Sequence, residues 1–291
     1  SPLFWVSPGR KVVTVHGGSW IGLPPNLRPD QPRFWKTALR YFNSKIDTVI
    51  TISEFSKKAI VRGYGIPEEK IKVIYHGVEH SRFKPFIGDI RDLKKYLNRK
   101  YKIESPYILN VTSTFQILKN IPNLLKAFYR LKKEGVEHKL VLVGKGGGFR
   151  HEEITKIMRK LGLEREVIFT GLVSEKDLPM LYNAAELFVF PSLYEGFGLP
   201  VLEAMASGCP VITSNVSALP EVAGNAAVLI DPYRVNQLTE AMYKVLSDQN
   251  LRKDLITKGL ERAKLFTWEN TAAKTLDIYR QCLMHSKEKG G

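Results

Sequence analysis

A segment that leaves a strand, passes two glycines and enters an apolar helix, with a carboxylate on either side of the turn, has the chemistry to hold a phosphate and a sugar. Residues 191–211 read Pro-Ser-Leu-Tyr-Glu-Gly-Phe-Gly-Leu-Pro-Val-Leu-Glu-Ala-Met-Ala-Ser-Gly-Cys-Pro-Val. The β-rich run before them closes at Phe190, and helical spacing starts near Gly198–Leu199. The amides of Phe197, Gly198 and Leu199 then precede the first helical hydrogen bond. They are open donors at the positive end of the helix dipole, an arrangement that binds phosphate. Gly196 and Gly198 have no Cβ to keep a ligand off the backbone. Glu195 lies on the loop beside this anion site. Glu203 lies one turn inside the helix, where it can accept hydrogen bonds from sugar hydroxyls. Two glutamates near a helix start also serve to offset the dipole, and for an isolated pair that is the simpler reading. Here the whole stretch favours a ligand.

Other chemistry-bearing residues are scattered. His16 ends an apolar run, Val12–Val15, at the kind of strand end that faces a ligand crevice in α/β sheets. The run Val143-Gly-Lys-Gly-Gly-Gly148 does not have the spacing of the dinucleotide fingerprint and reads as a tight turn, with Gly144 bringing backbone near a base. His76, His80, His138, His151 and His285 have no metal-ligand spacing, and no Asp-x-Asp occurs, so no metal site is expected. Cys209 and Cys282 are too few for a disulfide framework, and two reduced thiols fit a cytoplasmic protein.

The elements that must position these residues follow from periodicity. From Tyr107 onward, strands at Tyr107–Thr112, Leu140–Val143, Val167–Thr170, Leu187–Phe190, Val211–Thr213 and Val228–Ile230 alternate with helices at Ile121–Glu134, Glu152–Leu161, Glu175–Ala184, Leu199–Ser207 and Leu219–Ala223. That alternation predicts right-handed crossovers and a parallel sheet covered on both faces. Ser174 is placed to cap the helix that follows it. Val235–Cys282 reads as three helices, with Asp248 and Thr267 as caps. The first 85 residues hold a shorter version: strands at Val12–Val15, Thr48–Ile52 and Ile71–Tyr75, a helix capped by Ser53, and a proline-marked loop through Pro24, Pro25, Pro29 and Pro32.

Bulk properties bound the partners. A chain of 291 residues can form about two domains. No apolar run approaches the roughly 20 residues of a membrane span, and Ser1–Pro8 lacks the layout of a secretory signal. Of the net charge of +15, +11 falls within residues 1–106, which favours anionic partners without naming one. In the densest basic run, Arg91–Lys102, Leu93 and Leu97 are spaced i, i+4, which predicts a helix with one buried stripe and a solvated charged face.

Glu195-Gly-Phe-Gly-Leu-Pro-Val-Leu-Glu203, with Ala204–Ile212 and Ser217–Val222, resembles the E-x7-E region of retaining glycosyltransferases of family 4. The likeness extends in order through Ile52–Lys57, His76-Gly-Val78, Lys119-Asn120, Leu140–Gly144 and Phe169-Thr-Gly171. It implies an α/β, GT-B-like fold of two Rossmann-like doubly wound domains. The N-terminal one, residues 1–104 with a linker, is expected to be incomplete, because a Gly-rich loop that family members carry well before His16 has only 15 preceding residues to occupy. The donor domain is expected at 105–270, and a last helix at 271–291 is expected to cross back to the first.

By the same resemblance Glu203 binds the nucleotide ribose, Glu195 faces the donor sugar, and Lys119 neutralises the donor diphosphate, which suits a compact ammonium. The arginine that family members place six residues before that lysine is Ser113 here, so diphosphate stabilisation is expected to rest on Lys119 and the Phe197–Leu199 amides. Leu172 and Val173 occupy the place where backbone meets the base. His16 lies beside the transferred sugar, although Gly17-Gly18 replaces the usual following Asp. The expected activity is retaining, metal-independent transfer of a sugar, with mannose preferred, from a GDP- or UDP-sugar substrate to a glycan or lipid-linked acceptor. No cofactor and no nucleic acid are expected, and the protein is placed in the cytoplasm with peripheral association at the inner membrane face. Two alternatives stay open: a fragment that binds donor without transferring it, and a GT-B-like NDP-sugar epimerase.

Overall fold

The computed structural model describes residues 9–16, 43, 45–104, 106–114, 116–145 and 148–287. The proline loop after the first strand, the Gly17-Gly18 pair and Gly146-Gly147 lie outside the described residues. In chain order the elements are β1 (Val12–Val15), β2 (Thr48–Thr51), α1 (Glu54–Tyr64), β3 (Ile71–Val73) and α2 (Ile90–Tyr101). Then come β4 (Tyr107–Thr114), α3 (Ile121–Lys133), β5 (Lys139–Lys145), α4 (Gly148–Lys160), β6 (Val167–Gly171), α5 (Asp177–Ala184), β7 (Leu187–Phe190) and α6 (Leu199–Ala206). The chain continues through β8 (Val211–Ser214), α7 (Leu219–Ala223), β9 (Val228–Ile230), α8 (Val235–Ser247), α9 (Gln249–Lys264) and α10 (Trp268–Lys287).

Contacts divide the chain into two units. One holds the chain up to Gly77, Tyr194–Phe197 and the stretch from Phe266; the other holds Val78–Leu193 and Gly198–Leu265. By contacts, residues 78–104 belong with the second unit. The reason is a buried carboxylate. Asp177 on α5, with its side chain only 3% exposed, accepts from the Tyr96 hydroxyl at 3.0 Å, the Tyr101 hydroxyl at 2.5 Å and Lys100 Nζ at 2.6 Å. With Leu93 and Leu97 buried along its inner face, this fastens α2 to the second unit. Phe83 packs edge-on to Tyr182 in the same unit.

The second unit is a six-stranded parallel sheet in the order β6-β5-β4-β7-β8-β9. β7 and β8 are buried at every position, as are Leu140–Gly144 of β5, which is what helices on both faces require. One continuous core joins Leu140, Leu142, Leu187, Val189 and Ile212 to Leu124 and Phe128 of α3 and to Met242 and Val245 of α8. The order reverses between β4 and β7. In open α/β sheets the crevice beyond the carboxyl ends of such a strand pair binds ligands.

The first unit has, among the described residues, three parallel strands in the order β1-β2-β3. Neighbours on β2 point to opposite faces. Val49 packs with Ile46, Ile60, Ile66 and Ile71 beneath α1, and Ile50 packs with Ile74 and Ile278 of α10. Helix α10 thus covers this sheet with residues that lie more than two hundred positions further along the chain.

The caps follow the sequence. Ser53 Oγ accepts from Ser56 N–H at the start of α1, and Asp248 accepts from the amides of Asn250 and Leu251 at the start of α9. Thr267 accepts from Asn270 N–H in the first turn of α10. Ser174 Oγ accepts from Asp177 N–H at 3.3 Å, but the regular helix begins only at Asp177, after a turn.

Candidate functional site

In the second unit the sequence-marked residues gather at the switch point. β7 ends at Phe190 and α6 starts at Leu199, with Gly198 as its N-cap at φ 118°. That backbone conformation favours glycine, and a Cβ on Gly198 would sit 2.8 Å from Leu219 Cδ2. Gly198 is thus fixed by its backbone and by packing, a stronger reason than close ligand approach alone. Val201 N–H turns back to the Gly198 carbonyl, and Pro200 has no N–H. The Gly198 and Leu199 amides donate no hydrogen bond among the described residues, and Gly198 is buried. Bare amides on a buried helix start are donors that call for an anion.

Glu203 lies one turn into α6. Its Oε2 accepts from the hydroxyl of the fully buried Tyr182 at 2.9 Å. Burial pushes the Glu203 carboxyl above the ordinary carboxylate range, and the Tyr182 hydrogen bond and the Arg82 charge offset part of that rise. Arg82 lies over the Phe83 ring at 4.8 Å, and its Nε is buried without a partner among the described residues.

Lys119 comes to the same end of the sheet for reasons the sequence does not show. It closes a short 3-10 turn, Ile117–Lys119, after β4, and its Nζ lies 5.4 Å from the centre of the Phe190 ring at the end of β7. The next residue, Asn120, takes a left-handed backbone at φ 57°. From there its buried side-chain amide donates to the carbonyls of Pro191 at 3.0 Å and Pro232 at 2.8 Å. Leu193 N–H donates to the Leu118 carbonyl at 2.8 Å. Asn120 therefore clamps the loops after β7 and β9 and sets the position of Lys119. A left-handed asparagine before a proline-started helix is the one sequence trace of this role.

Gly144 lies buried near the carboxyl end of β5, and Ser113 is exposed near the carboxyl end of β4. Leu172 and Val173 follow β6, with the Leu172 side chain 66% exposed. All four sit at the carboxyl edge of the sheet.

The first unit holds Glu195, Gly196, Phe197 and His16. Its loop Tyr194–Phe197 is anchored by the start of α1: the hydroxyls of Ser53 and Ser56 point at the Gly196 carbonyl, at 2.7 and 3.2 Å. Tyr194 meets Phe55 edge-on, and Phe197 packs among Tyr75, His76 and Phe266. Ser53 thus caps a helix and also fixes the signature loop, a second role that a cap pattern does not reveal. The Phe197 amide, like its two successors, donates no hydrogen bond among the described residues. Glu195 is half-buried on this loop, and His16 is exposed at the end of β1. Among the described residues no three His, Cys, Asp or Glu side chains gather into a metal-holding group, and no helix is long and apolar enough to cross a membrane.

A family profile described as glycosyl transferases group 1 matches residues 94–262, and one described as glycosyltransferase family 4 matches residues 3–82. The chain is 31% identical over 272 residues to an O-antigen chain mannosyltransferase B of Escherichia coli, covering 93% of this chain and 70% of that one. It is 32% identical over 266 residues to a serotype-specific mannosyltransferase, WbdA, also of Escherichia coli, with 91% of this chain and 32% of that one covered. The chain thus spans less than a third of the length of that second relative. The crystal structure of HepE from Anabaena, solved with UDP-glucose, superposes with a TM-score of 0.79 at 22% identity, over 94% of this chain and 72% of that one, a likeness of fold. With its six-stranded Rossmann-like unit, its GT-B-type α/β fold and these matches, the chain belongs to the glycosyl transferases of group 1, a family of hexosyltransferases.

Proposed function

We propose that this glycosyltransferase moves a hexose, mannose by analogy with its relatives, from a nucleoside-diphosphate sugar to a hydroxyl of a glycan or lipid-linked acceptor, with retention at the anomeric carbon and without a metal ion. The observation that carries the reading is the start of α6: bare Gly198 and Leu199 amides at the switch-point strand end, with Lys119 over Phe190 and Glu203 one turn in. In the transfer the bond from the anomeric carbon to the diphosphate oxygen breaks, the acceptor oxygen bonds to that carbon, and the hydroxyl proton passes to the departing diphosphate. Negative charge grows on the diphosphate as the sugar gains oxocarbenium character. Fixed amides and an ammonium stabilise that charge more strongly in the transition state than in the bound donor. Glu203 is assigned to the nucleotide ribose, and Glu195 and His16 to the donor sugar.

The test is protection against heat. UDP-, GDP- and ADP-sugars are screened for a rise in melting temperature, since a ligand at about 100 times its Kd stabilises the folded state by about 2.7 kcal/mol. One nucleotide class is expected to protect, and Glu203→Gln is expected to weaken that protection while transfer by the wild type persists in EDTA. Absence of protection by every nucleotide sugar overturns the reading. Donor turnover with no acceptor present would favour the epimerase, and protection without turnover the binding fragment.

Peripheral attachment to an anionic membrane surface belongs to the same proposal. It is supported by Phe86, Ile87 and Ile90, which are 41%, 90% and 40% exposed directly before and at the start of basic α2. Co-sedimentation with phosphatidylglycerol vesicles but not with phosphatidylcholine ones is the expected result, and equal recovery with both overturns it.

A further inference from the structure

His76 has no role in the proposed function, yet its imidazole is held by several neighbours. It follows β3, where Ile74 N–H still donates to the Thr51 carbonyl. Its backbone is pinned on both sides: Thr271 Oγ1 donates to the Tyr75 carbonyl at 2.7 Å, and a Cβ on Gly77 would lie 2.2 Å from Trp268 N. Only glycine lets the chain pass the start of α10 so closely. The ring is held edge-on to Phe197, with centroids 5.4 Å apart, and 5.3 Å from Trp268. On its remaining side is His16, with ring centroids 5.3 Å apart, planes 22° apart and His16 Nδ1 3.4 Å from His76 Nε2, a long but feasible N–H···N bond.

The other nitrogen of His76 settles which atom carries the proton. Nδ1 is buried and has no hydrogen-bond partner among the described residues. A proton there would leave an N–H donor buried and unsatisfied, which costs more than a bare lone pair. The neutral ring therefore carries its proton on Nε2, which faces His16 Nδ1, and Nδ1 of His16 accepts. Burial, and then the charge of His16, hold His76 below the ordinary imidazole value, so it is neutral at physiological pH. The other rings packed on it, Phe197 and Trp268, carry no charge.

We infer that His76 is a positioning residue that holds His16 in the tautomer protonated at Nε2, so that the exposed nitrogen of His16 is a hydrogen-bond donor. This rests on the reading of His16 as a sugar-side residue and adds a constraint to it. A donor nitrogen binds the oxygen of a sugar hydroxyl and cannot take a proton from the acceptor, so His16 acts as a binding group and not as the general base.

The test is the tautomer itself, read from the ring 15N shifts of the labelled full chain at pH 7.5. In the wild type His16 is expected to show a protonated Nε2 and a bare Nδ1. His76→Phe keeps the aromatic contacts to Phe197 and Trp268 and removes only the nitrogens; it is expected to release His16 to a mixture of tautomers and to lower kcat about tenfold with little change in donor KM. His76→Gln, which returns an N–H donor near the same point, is expected to restore both readouts in large part. A His16 protonated on Nδ1 in the wild type, or unchanged in tautomer in His76→Phe, overturns the inference. Should His16→Ala transfer sugar at the wild-type rate while the tautomer shifts as stated, the positioning stands and the assigned role of His16 in transfer falls.

Discussion

The two units reach the same kind of sheet by different routes. In the second, each strand is followed closely by a helix, and one core joins Leu124, Phe128, Leu140, Leu142 and Leu187 to Met242 and Val245 of α8, all within that unit. In the first, the strands that precede Gly77 cover one face with α1 but receive their other cover from Ile278 of α10 and their signature loop from Tyr194–Phe197. A six-stranded sheet buried on both faces contains its own stabilisation. The first sheet, with three strands among the described residues, depends on contacts whose loop-closure cost is met late in the chain.

The comparison can be broken most strongly in the core of the second unit. Phe188 on β7 is fully buried, stacked on Phe190 and edge-on to Tyr182. Phe188→Ala is expected to cost about 3–5 kcal/mol, read as a fall in the urea midpoint that abolishes nucleotide protection. A loss below 1 kcal/mol would show that this core collapses around the gap. Ile278→Ala is the matching change in the first unit, expected to cost about 2 kcal/mol. Hydrogen exchange should then speed up in β1–β3 and α10 with β4–β9 unchanged; uniform acceleration would mean the units unfold as one.

The smallest change sharpens the boundary instead. Burial raises the Asp177 pKa, but Lys100, Tyr101, Ser174 and Tyr96 together hold it down to about 2. A carboxyl whose folded value is depressed from the ordinary 3.8 contributes stability that is fully present above that value and lost as pH falls toward 2. Asp177→Asn is therefore expected to lower the urea midpoint at pH 7 by the equivalent of about 1–2 kcal/mol, with the gap to wild type narrowing below pH 4. A gap independent of pH would show that hydrogen-bond shape, not charge, fastens α2.

Much of this was readable in advance where short-range rules decide. The strands at Val12–Val15, Leu187–Phe190 and Val228–Ile230 lie where the apolar runs place them, and Leu93 and Leu97 are buried as their spacing requires. The caps at Ser53 and Asp248 bond as their residue types predict. The second strand ends at Thr51 and the third at Val73, earlier than the β-branched runs suggested, because pairing partners and not propensity end a strand. Less legible were the contacts between distant residues: Asn120 with Pro191 and Pro232, Ser53 with Gly196, Asp177 with Tyr96 and Tyr101, His16 with His76. Each is a polar pair whose members look like ordinary surface or capping residues when read singly.

The amino-acid order alone determined the alternation of strands and helices, the glycine-bearing turn into α6 and the carboxylates on either side of it, since periodicity, capping and backbone permissiveness act over a few residues. Only the tertiary structure decided that Gly198 is fixed by Leu219, that Ile278 of α10 packs on the first sheet and that His16 and His76 meet. Burial and hydrogen-bond satisfaction depend on what folding brings together from far along the chain, and no local pattern records them.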